Sequence, residues 1–170
     1  VVPAGALNAD TMPDNVDIGI TAHSFDYIGV RTRYKPNIGW IGYHPSLLPR
    51  HRGRSSIEWA VRMRDAITGG TVFWLNSGID RGDIAYQDIC FIDPKLYGIE
   101  PRKAAKLLWE HELQEMGLRL IEKALTDISK GIIIKNPQKK EYSTFEPNTD
   151  TKDVFKPDLL MLEQFASPST

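Results

Sequence analysis

The chain has 170 residues, the size of one domain, and its 41% hydrophobic and 25% charged residues are ordinary for a globular protein. Its 21 Lys and Arg against 22 Asp and Glu give a net charge of -1, so composition supports neither a nucleic-acid partner nor a polybasic membrane contact. Cys90 is the only cysteine, which excludes an internal disulfide. With no membrane-spanning run and no signal-peptide pattern at the amino terminus, we expect a cytoplasmic protein.

In chain order, the first predicted elements are two buried strands. Residues 16–22 form a short apolar segment that exits at His23 and Ser24. A second apolar run over residues 38–43 stops at His44, and prolines and a glycine follow. His44 is therefore predicted at the carboxyl end of a strand, the edge at which open α/β sheets bind ligands. The prolines after it stiffen the loop that would aim the imidazole.

The rest of the chain shows helical and strand periodicity up to about residue 140. Thr68-Gly69-Gly70 is predicted to end a helix, and Gly117 to permit either a bend or a close crossing within a longer one. From residue 141 the composition shifts to Ser, Thr, Pro, Asn and Asp, which predicts an extended tail over residues 141–170. The remaining predicted elements are a weak helix over 31–35, a helix over 56–65, strands over 71–75 and 84–92, a helix over 101–129 and a brief strand over 132–134.

His44 and Asp80 are the pair of residues best placed for chemistry. Taken alone, a histidine after a strand is more often structural, and an aspartate in a glycine-bounded loop is more often a turn residue. If strands 38–43 and 71–75 are parallel neighbours, however, both of their exits lie at one sheet edge. Asp80 can then hold the imidazole of His44 in position, an arrangement suited to stabilising an oxyanion.

Two further sets of residues near His44 each allow a functional and a structural interpretation. His23 and Ser24 can line the same pocket or pack within the fold. A basic cluster after His44 can meet an anionic substrate group or remain a solvated loop face. The cluster consists of Arg50, His51, Arg52 and Arg54.

No metal-ligand spacing, phosphate-binding loop or dinucleotide fingerprint is present, so no metal is expected and neither ATP nor a dinucleotide is supported.

Three motifs in succession resemble the folate-dependent formyltransferases, a family that includes glycinamide ribonucleotide formyltransferase and the catalytic domain of methionyl-tRNA formyltransferase. The motifs are His44-Pro45-Ser46-Leu47-Leu48-Pro49-Arg50 with Arg52-Gly53, then Thr68 to Val72, then Gly78 to Ile84. The resemblance covers roughly residues 17–87. It implies an α/β, Rossmann-like formyltransferase fold, with a mostly parallel sheet flanked by helices, over a catalytic domain of residues 1–140.

The resemblance also implies a reaction and a set of site residues. The formyl donor would be 10-formyltetrahydrofolate, and the acceptor a primary amine of a small metabolite. His44 matches the catalytic histidine, which stabilises the oxyanion, and Asp80 matches the aspartate, which orients it and assists proton movement. The segments that hold the folate match Phe25, Asp26, Tyr27 and Ile28, and Asn76, Ser77, Gly78 and Ile79.

Two departures from the family pattern define the alternatives. The family has an asparagine two residues before the histidine, where this chain has Gly42. One oxyanion donor is therefore missing, a loss of about 3 to 4 kcal/mol of transition-state stabilisation by analogy with other oxyanion holes. Asn76, Ser46 and His23 are candidate replacements. The chain is also expected to be amino-terminally short, lacking the first βα units, and too short for a tRNA-binding barrel.

These departures leave two alternatives to a formyltransferase. One is a catalytically impaired homologue that binds folate or a partner. The other is a hydrolase that releases formate from the formyl-folate. The sheet edge that a short amino terminus would expose leaves a homo-oligomer open.

Overall fold

A computed structural model describes residues 5–22, 24 and 27–149 of the chain. Its centre is a four-stranded sheet whose strands lie side by side in chain order, with the two longest helices packed on one face. A π-helical turn over Trp109–Leu113 joins these two helices. The strands are β1 Ile18–Ala22, β2 Gly39–His44, β3 Ile67–Trp74 and β4 Ile84–Phe91, and the helices are α1 Val30–Arg33, α2 Ser56–Arg62, α3 Pro101–Leu108 and α4 Gln114–Ser129, with short 3₁₀ turns at Pro94–Gly98 and Lys140–Tyr142.

The α/β class with flanking helices is confirmed, but the described sheet is mixed rather than mostly parallel. Only β1 and β2 run parallel, whereas β3 is antiparallel to both β2 and β4. Parallel pairing requires a crossover that returns the chain along the sheet. The segment between β2 and β3 does not make that return, and its helix α2 spans only about 10 Å over seven residues. Accordingly β3 starts near the end of β2, and His44 pairs with Thr71.

Two of the sequence predictions differ from the structure, and a third is confirmed. Residues 68–70 belong to β3 rather than to a helix end, and Gly69 allows the close approach of β4, whose backbone a side chain at this position would meet. The predicted strand over 132–134 is wrong, and the isolated bridge between Ile84 and Asn136 comes after these residues. The predicted close crossing is confirmed, since a Cβ on Gly117 would lie 2.5 Å from the ring of Tyr43.

The alternation of side chains along β2 separates the core from the site. Ile41 and Tyr43 point into the main core, formed with helices α2, α3 and α4. Trp40 lies on the opposite face, in a smaller cluster with Met12 and Ile28. Because strand side chains alternate, Gly42 and His44 share the face of Trp40. None of the helices in the described ranges is long and apolar enough to cross a membrane.

Residues 143–149, which we call the strap, run along the loop that follows β2. The backbone of Thr144 exchanges hydrogen bonds with Pro49 and Arg52, both at 3.1 Å. Nearer its end, the carbonyl of Pro147 accepts a hydrogen bond from the indole of Trp59 at 2.8 Å. The strap is thus bound to the loop that carries the predicted site. The division into a domain over 1–140 and a tail over 141–170 stays a prediction.

Candidate functional site

His44 is held at the carboxyl end of β2 by one of its two ring nitrogens. Its Nε2 lies 2.7 Å from the carbonyl oxygen of His51, which can only accept a hydrogen bond, so Nε2 carries the proton. His51 adopts a left-handed backbone, with φ at +54°, where the chain turns back toward β2. The other nitrogen, Nδ1, lies 3.6 Å from Oδ2 of Asp80. Nδ1 is therefore the nitrogen that remains for a ligand.

Asp80 reaches His44 through the path of its loop. The premise of parallel neighbouring strands was wrong, because β2 and β3 run antiparallel. The loop over residues 75–83 instead folds back toward the end of β2. Oδ2 of Asp80 accepts a hydrogen bond from the backbone N–H of Gly53 at 2.8 Å, and its carbonyl accepts one from Gln138 at 2.9 Å. The carboxylate and the backbone of Asp80 are thus each held by one hydrogen bond.

A cleft of about 700 Å³ opens beside this pair. His44 and Asp80 both line it, and Ser24 lies at its edge. A volume of this size is typical of a small-molecule site. Phe25 and Asp26, also predicted to hold the folate, lie outside the described residues, as does His23. The cleft does bring together six predicted folate-binding residues: Tyr27, Ile28, Asn76, Ser77, Gly78 and Ile79.

The cleft is lined by residues that the sequence predicted on one side and by residues that it did not predict on the other. One side is formed by the predicted residues, while the other is formed partly by α3 and the turn after it. Arg102, Lys106 and Trp109 line this second side and were missed by the sequence reasoning. Their spacing of three and four residues places them on one helix face, which is the signal that could have identified them.

The basic cluster is divided among different partners. Arg50 makes two hydrogen bonds with the carboxylate of Asp65, at 3.0 and 2.8 Å. Arg52 donates to the side-chain oxygen of Gln138 at 2.6 Å. Of the four members, only Arg54 lines the cleft. The cluster therefore does not form a single anion-binding surface.

His51 lies buried between two carboxylates and ties the strap to the loop. Its Nε2 lies 2.7 Å from Asp65, and its Nδ1 lies 3.2 Å from Glu146. Burial alone lowers the pKa of His51, but the hydrogen bonds to the two carboxylates outweigh burial and raise it above the ordinary 6.5. Although burial raises the pKa values of Asp65 and Glu146, contact with His51 holds both below their usual range. These charges stabilise the loop that orients His44.

Gly42 lies on the same face as His44, in a space that neighbouring side chains already occupy. A Cβ built on Gly42 would lie 2.9 Å from the Thr21 hydroxyl, 2.9 Å from Leu75 and 3.1 Å from Phe73. Such distances are shorter than ordinary van der Waals contact, so a side chain at position 42 would displace its neighbours. The surroundings of position 42 therefore fit glycine and not asparagine.

With the geometry described, the comparisons with known proteins identify the family. A model of the formyl transferase family matches residues 6–103. The chain belongs to the formyl transferase family.

Individual relatives agree with this assignment. The human mitochondrial 10-formyltetrahydrofolate dehydrogenase is 37% identical over 111 residues, which are 65% of this chain and 11% of that protein. The methionyl-tRNA formyltransferase of Methylacidiphilum infernorum is 39% identical over 110 residues, which are 65% of this chain and 32% of that protein. The chain therefore spans a third or less of these two relatives.

A solved structure supports the fold. HypX from Aquifex aeolicus, determined in complex with tetrahydrofolic acid, superimposes with a TM-score of 0.65. The match covers 79% of this chain and 22% of that chain, at 18% identity. At that identity the likeness concerns the fold, and it confirms the Rossmann-like formyltransferase fold.

Proposed function

We propose that this chain binds 10-formyltetrahydrofolate in the cleft and transfers the formyl group to a primary amine of a small metabolite. The observation that carries the proposal is the placement of Asp80 within 3.6 Å of His44 at the edge of a cleft lined by the predicted folate segments. We also propose that it does so in the cytoplasm, as the composition suggests.

The lining of the cleft fits a folate. Tyr27, Ile28 and Ile79 supply apolar surface for a flat ring system, and Tyr27 and Ile79 are 77% and 62% exposed, so a ligand would cover them. Asn76 and Ser77 supply polar groups beside them. Apolar walls with a few polar groups are what binds and orients a ring ligand in proteins.

In the proposed reaction, the substrate amine attacks the formyl carbon, and the bond from that carbon to the folate nitrogen breaks. The products are a formamide and tetrahydrofolate, and the proton lost by the amine goes to the folate nitrogen. In its imidazolium form, His44 donates a hydrogen bond from Nδ1 to the formyl oxygen and so stabilises the developing charge, since Nε2 donates to the carbonyl of His51. Asp80 positions the imidazole and assists the proton transfer.

Hydrolysis of the formyl-folate is a second candidate, because water can replace the amine at the same carbon. The similarity to 10-formyltetrahydrofolate dehydrogenases favours it. A third candidate is a catalytically impaired member that binds folate or a partner without turnover. The three differ in their products, namely a formamide, formate or neither.

The test is a calorimetric titration of the purified chain with a stable 10-formyltetrahydrofolate analogue, followed by product analysis with 10-formyltetrahydrofolate and a panel of amines. We expect the wild type to bind the analogue and to consume the formyl donor. We expect His44→Ala and Asp80→Asn to bind it but to lose at least about a hundredfold in turnover. His111→Ala, a substitution of an exposed histidine away from the cleft, is the matched control.

The outcomes separate the candidates. A formamide supports transfer, and formate without an amine supports hydrolysis. Binding without consumption supports the impaired module. Absence of binding by the wild type would overturn all folate-based proposals for this chain.

A further inference from the structure

The strongest unexplained feature of the site is the group that faces Gly42. The proposed reaction develops negative charge on the formyl oxygen, and His44 supplies one donor for it. Glycine supplies no second donor from its side chain. Unless one of the groups that fill the space over Gly42 donates a second hydrogen bond, the charged formyl oxygen has His44 as its only donor.

Thr21 occupies that space from the neighbouring strand. It is the registered partner of Gly42 in the parallel pair of β1 and β2. Paired residues on adjacent strands direct their side chains to the same face, so Thr21 shares the face of His44. Its hydroxyl lies 2.9 Å from where a Cβ on Gly42 would be, and Thr21 lines the cleft.

The hydroxyl is chemically available. Thr21 is only partly buried, and within residues 5–22, 24 and 27–149 its side chain makes no hydrogen bond. A threonine hydroxyl is both a donor and an acceptor. The other two side chains over Gly42 belong to Leu75 and Phe73, which have no donor.

The described replacements suggested by the sequence are less suitable. The hydroxyl of Ser46 is committed to the carbonyl of Arg50 at 2.6 Å, and Ser46 does not line the cleft. The side chain of Asn76 is exposed, and its oxygen accepts a hydrogen bond from Gly78 at 2.8 Å, which shapes its own loop. Neither lies among the atoms nearest to a Cβ at position 42.

We propose that the Thr21 hydroxyl is the second hydrogen-bond donor to the formyl oxygen, and that it takes the place of the side chain missing at Gly42. The inference rests on the proposed function and adds a substrate-contacting residue to it. The hydroxyl keeps its proton throughout. It donates a hydrogen bond that strengthens as the formyl C=O becomes a C–O⁻, while His44 donates the other.

The test compares how well each variant distinguishes a formylated from an unformylated ligand, because this comparison does not require turnover. The ratio of the Kd for tetrahydrofolate to the Kd for a stable 10-formyl analogue is measured by calorimetry. Thr21→Val removes the hydroxyl and should lower this preference about three- to tenfold, the range for one hydrogen bond. Thr21→Ser keeps the hydroxyl and should retain the preference. Thr32→Val, at a buried threonine in α1 that does not line the cleft, controls for the general effect of the exchange.

Each result has a definite reading. Loss of preference in Thr21→Val alone supports the inference, and an accompanying fall in formyl-folate consumption of at least about tenfold extends it to catalysis. An unchanged preference in Thr21→Val, with normal binding by the wild type, overturns the inference and leaves the proposed function standing. Failure of the wild type to bind either ligand overturns both. Unfolding curves of each variant identify any loss that comes from misfolding.

Discussion

Two loops meet at the cleft, and they are built in opposite ways. The loop over residues 45–55 is held by buried polar contacts, including those of Ser46, Thr71 and His51. The loop over residues 75–83 and the segment at Tyr27 are more exposed and present apolar side chains to the cleft. Fixing a catalytic imidazole requires a rigid support, whereas holding a ring ligand requires surface that the ligand can cover.

The comparison predicts different consequences for substitutions in the two loops. In the first loop they should change stability and the position of His44 together. In the second they should change ligand binding and leave stability almost unaffected. Substitutions in each loop therefore test whether one loop supports the fold and the other binds the ligand.

The largest effect is expected at Thr71, whose hydroxyl is fully buried under the first loop. It accepts a hydrogen bond from the backbone N–H of Leu48 at 3.1 Å and donates one to the carbonyl of Ser46 at 2.6 Å. Thr71→Val leaves both groups without this partner and should lower the free energy of unfolding by about 3 kcal/mol. Urea unfolding measures the loss. Thr71→Ser keeps the hydroxyl and serves as the control, and equal losses in both variants would contradict the assigned role.

A smaller effect is expected from Gly42→Asn, which restores the family residue. Its side chain would collide with Leu75, Thr21 and Phe73, so we expect a loss of about 1–3 kcal/mol in unfolding free energy and no gain in turnover. Gly98→Asn is the matched control, because a Cβ on Gly98 meets nothing within 4 Å. A stable Gly42→Asn variant with faster turnover would instead indicate that the natural site is impaired.

The charges at His51 predict a smaller, pH-dependent effect. The pKa of His51 is raised above its unfolded value of 6.5, so its contribution is complete below pH 6.5 and is lost as the pH rises through the folded pKa. The depressed pKa values of Asp65 and Glu146 make their contributions present above their usual 3.8 and 4.5 and lost as the pH falls through the folded values. All three act together between about pH 4.5 and 6.5, where stability should be greatest.

This pH dependence is measured by unfolding between pH 4 and 9. The wild type should lose stability above pH 6.5, and Glu146→Gln should lose less over the same range because one of the two partners of His51 no longer carries charge. Glu141→Gln, at an exposed glutamate just before the strap, should follow the wild type. Parallel curves for the wild type and Glu146→Gln would show that the strap does not depend on His51.

The sequence was sufficient to predict the parts of the site that local patterns encode. A strand that stops at His44 before two prolines, and Asp80 between glycines, were found from neighbouring residues alone. The α/β class followed from the resemblance to the formyltransferases, which the strand and helix patterns along the chain fit. The direction of β3 did not, because the pairing partner of a strand depends on the path of the chain outside it. His44 and Asp80 do lie together, but for a reason that differs from the one predicted.

The missed features depend on residues that are far apart in sequence. Glu146 meets His51 only when the strap lies on the loop. Thr21 faces Gly42 only through the register of β1 and β2, and a shift of one residue would turn it to the other face. In the sequence Glu146 looks like an ordinary surface position, and Thr21 is one residue of a predicted buried strand with nothing to single it out. A burial pattern cannot assign such partners before the tertiary contacts are known.

The second loop provides the smallest effect on stability and therefore the most selective test of the comparison. Ile79 is 62% exposed in the free protein and lines the cleft, so Ile79→Ser should change the unfolding free energy by no more than about 0.5 kcal/mol. If a folate ring covers part of this side chain, its removal should cost about 1 kcal/mol of binding, or roughly fivefold in Kd for the 10-formyl analogue. Ile133→Ser, at an isoleucine 44% exposed and away from the cleft, should change neither quantity. Equal binding by both variants would mean that the exposed apolar surface at Ile79 serves something other than the folate. A marked loss of stability in Ile79→Ser would mean that the second loop supports the fold much as the first does.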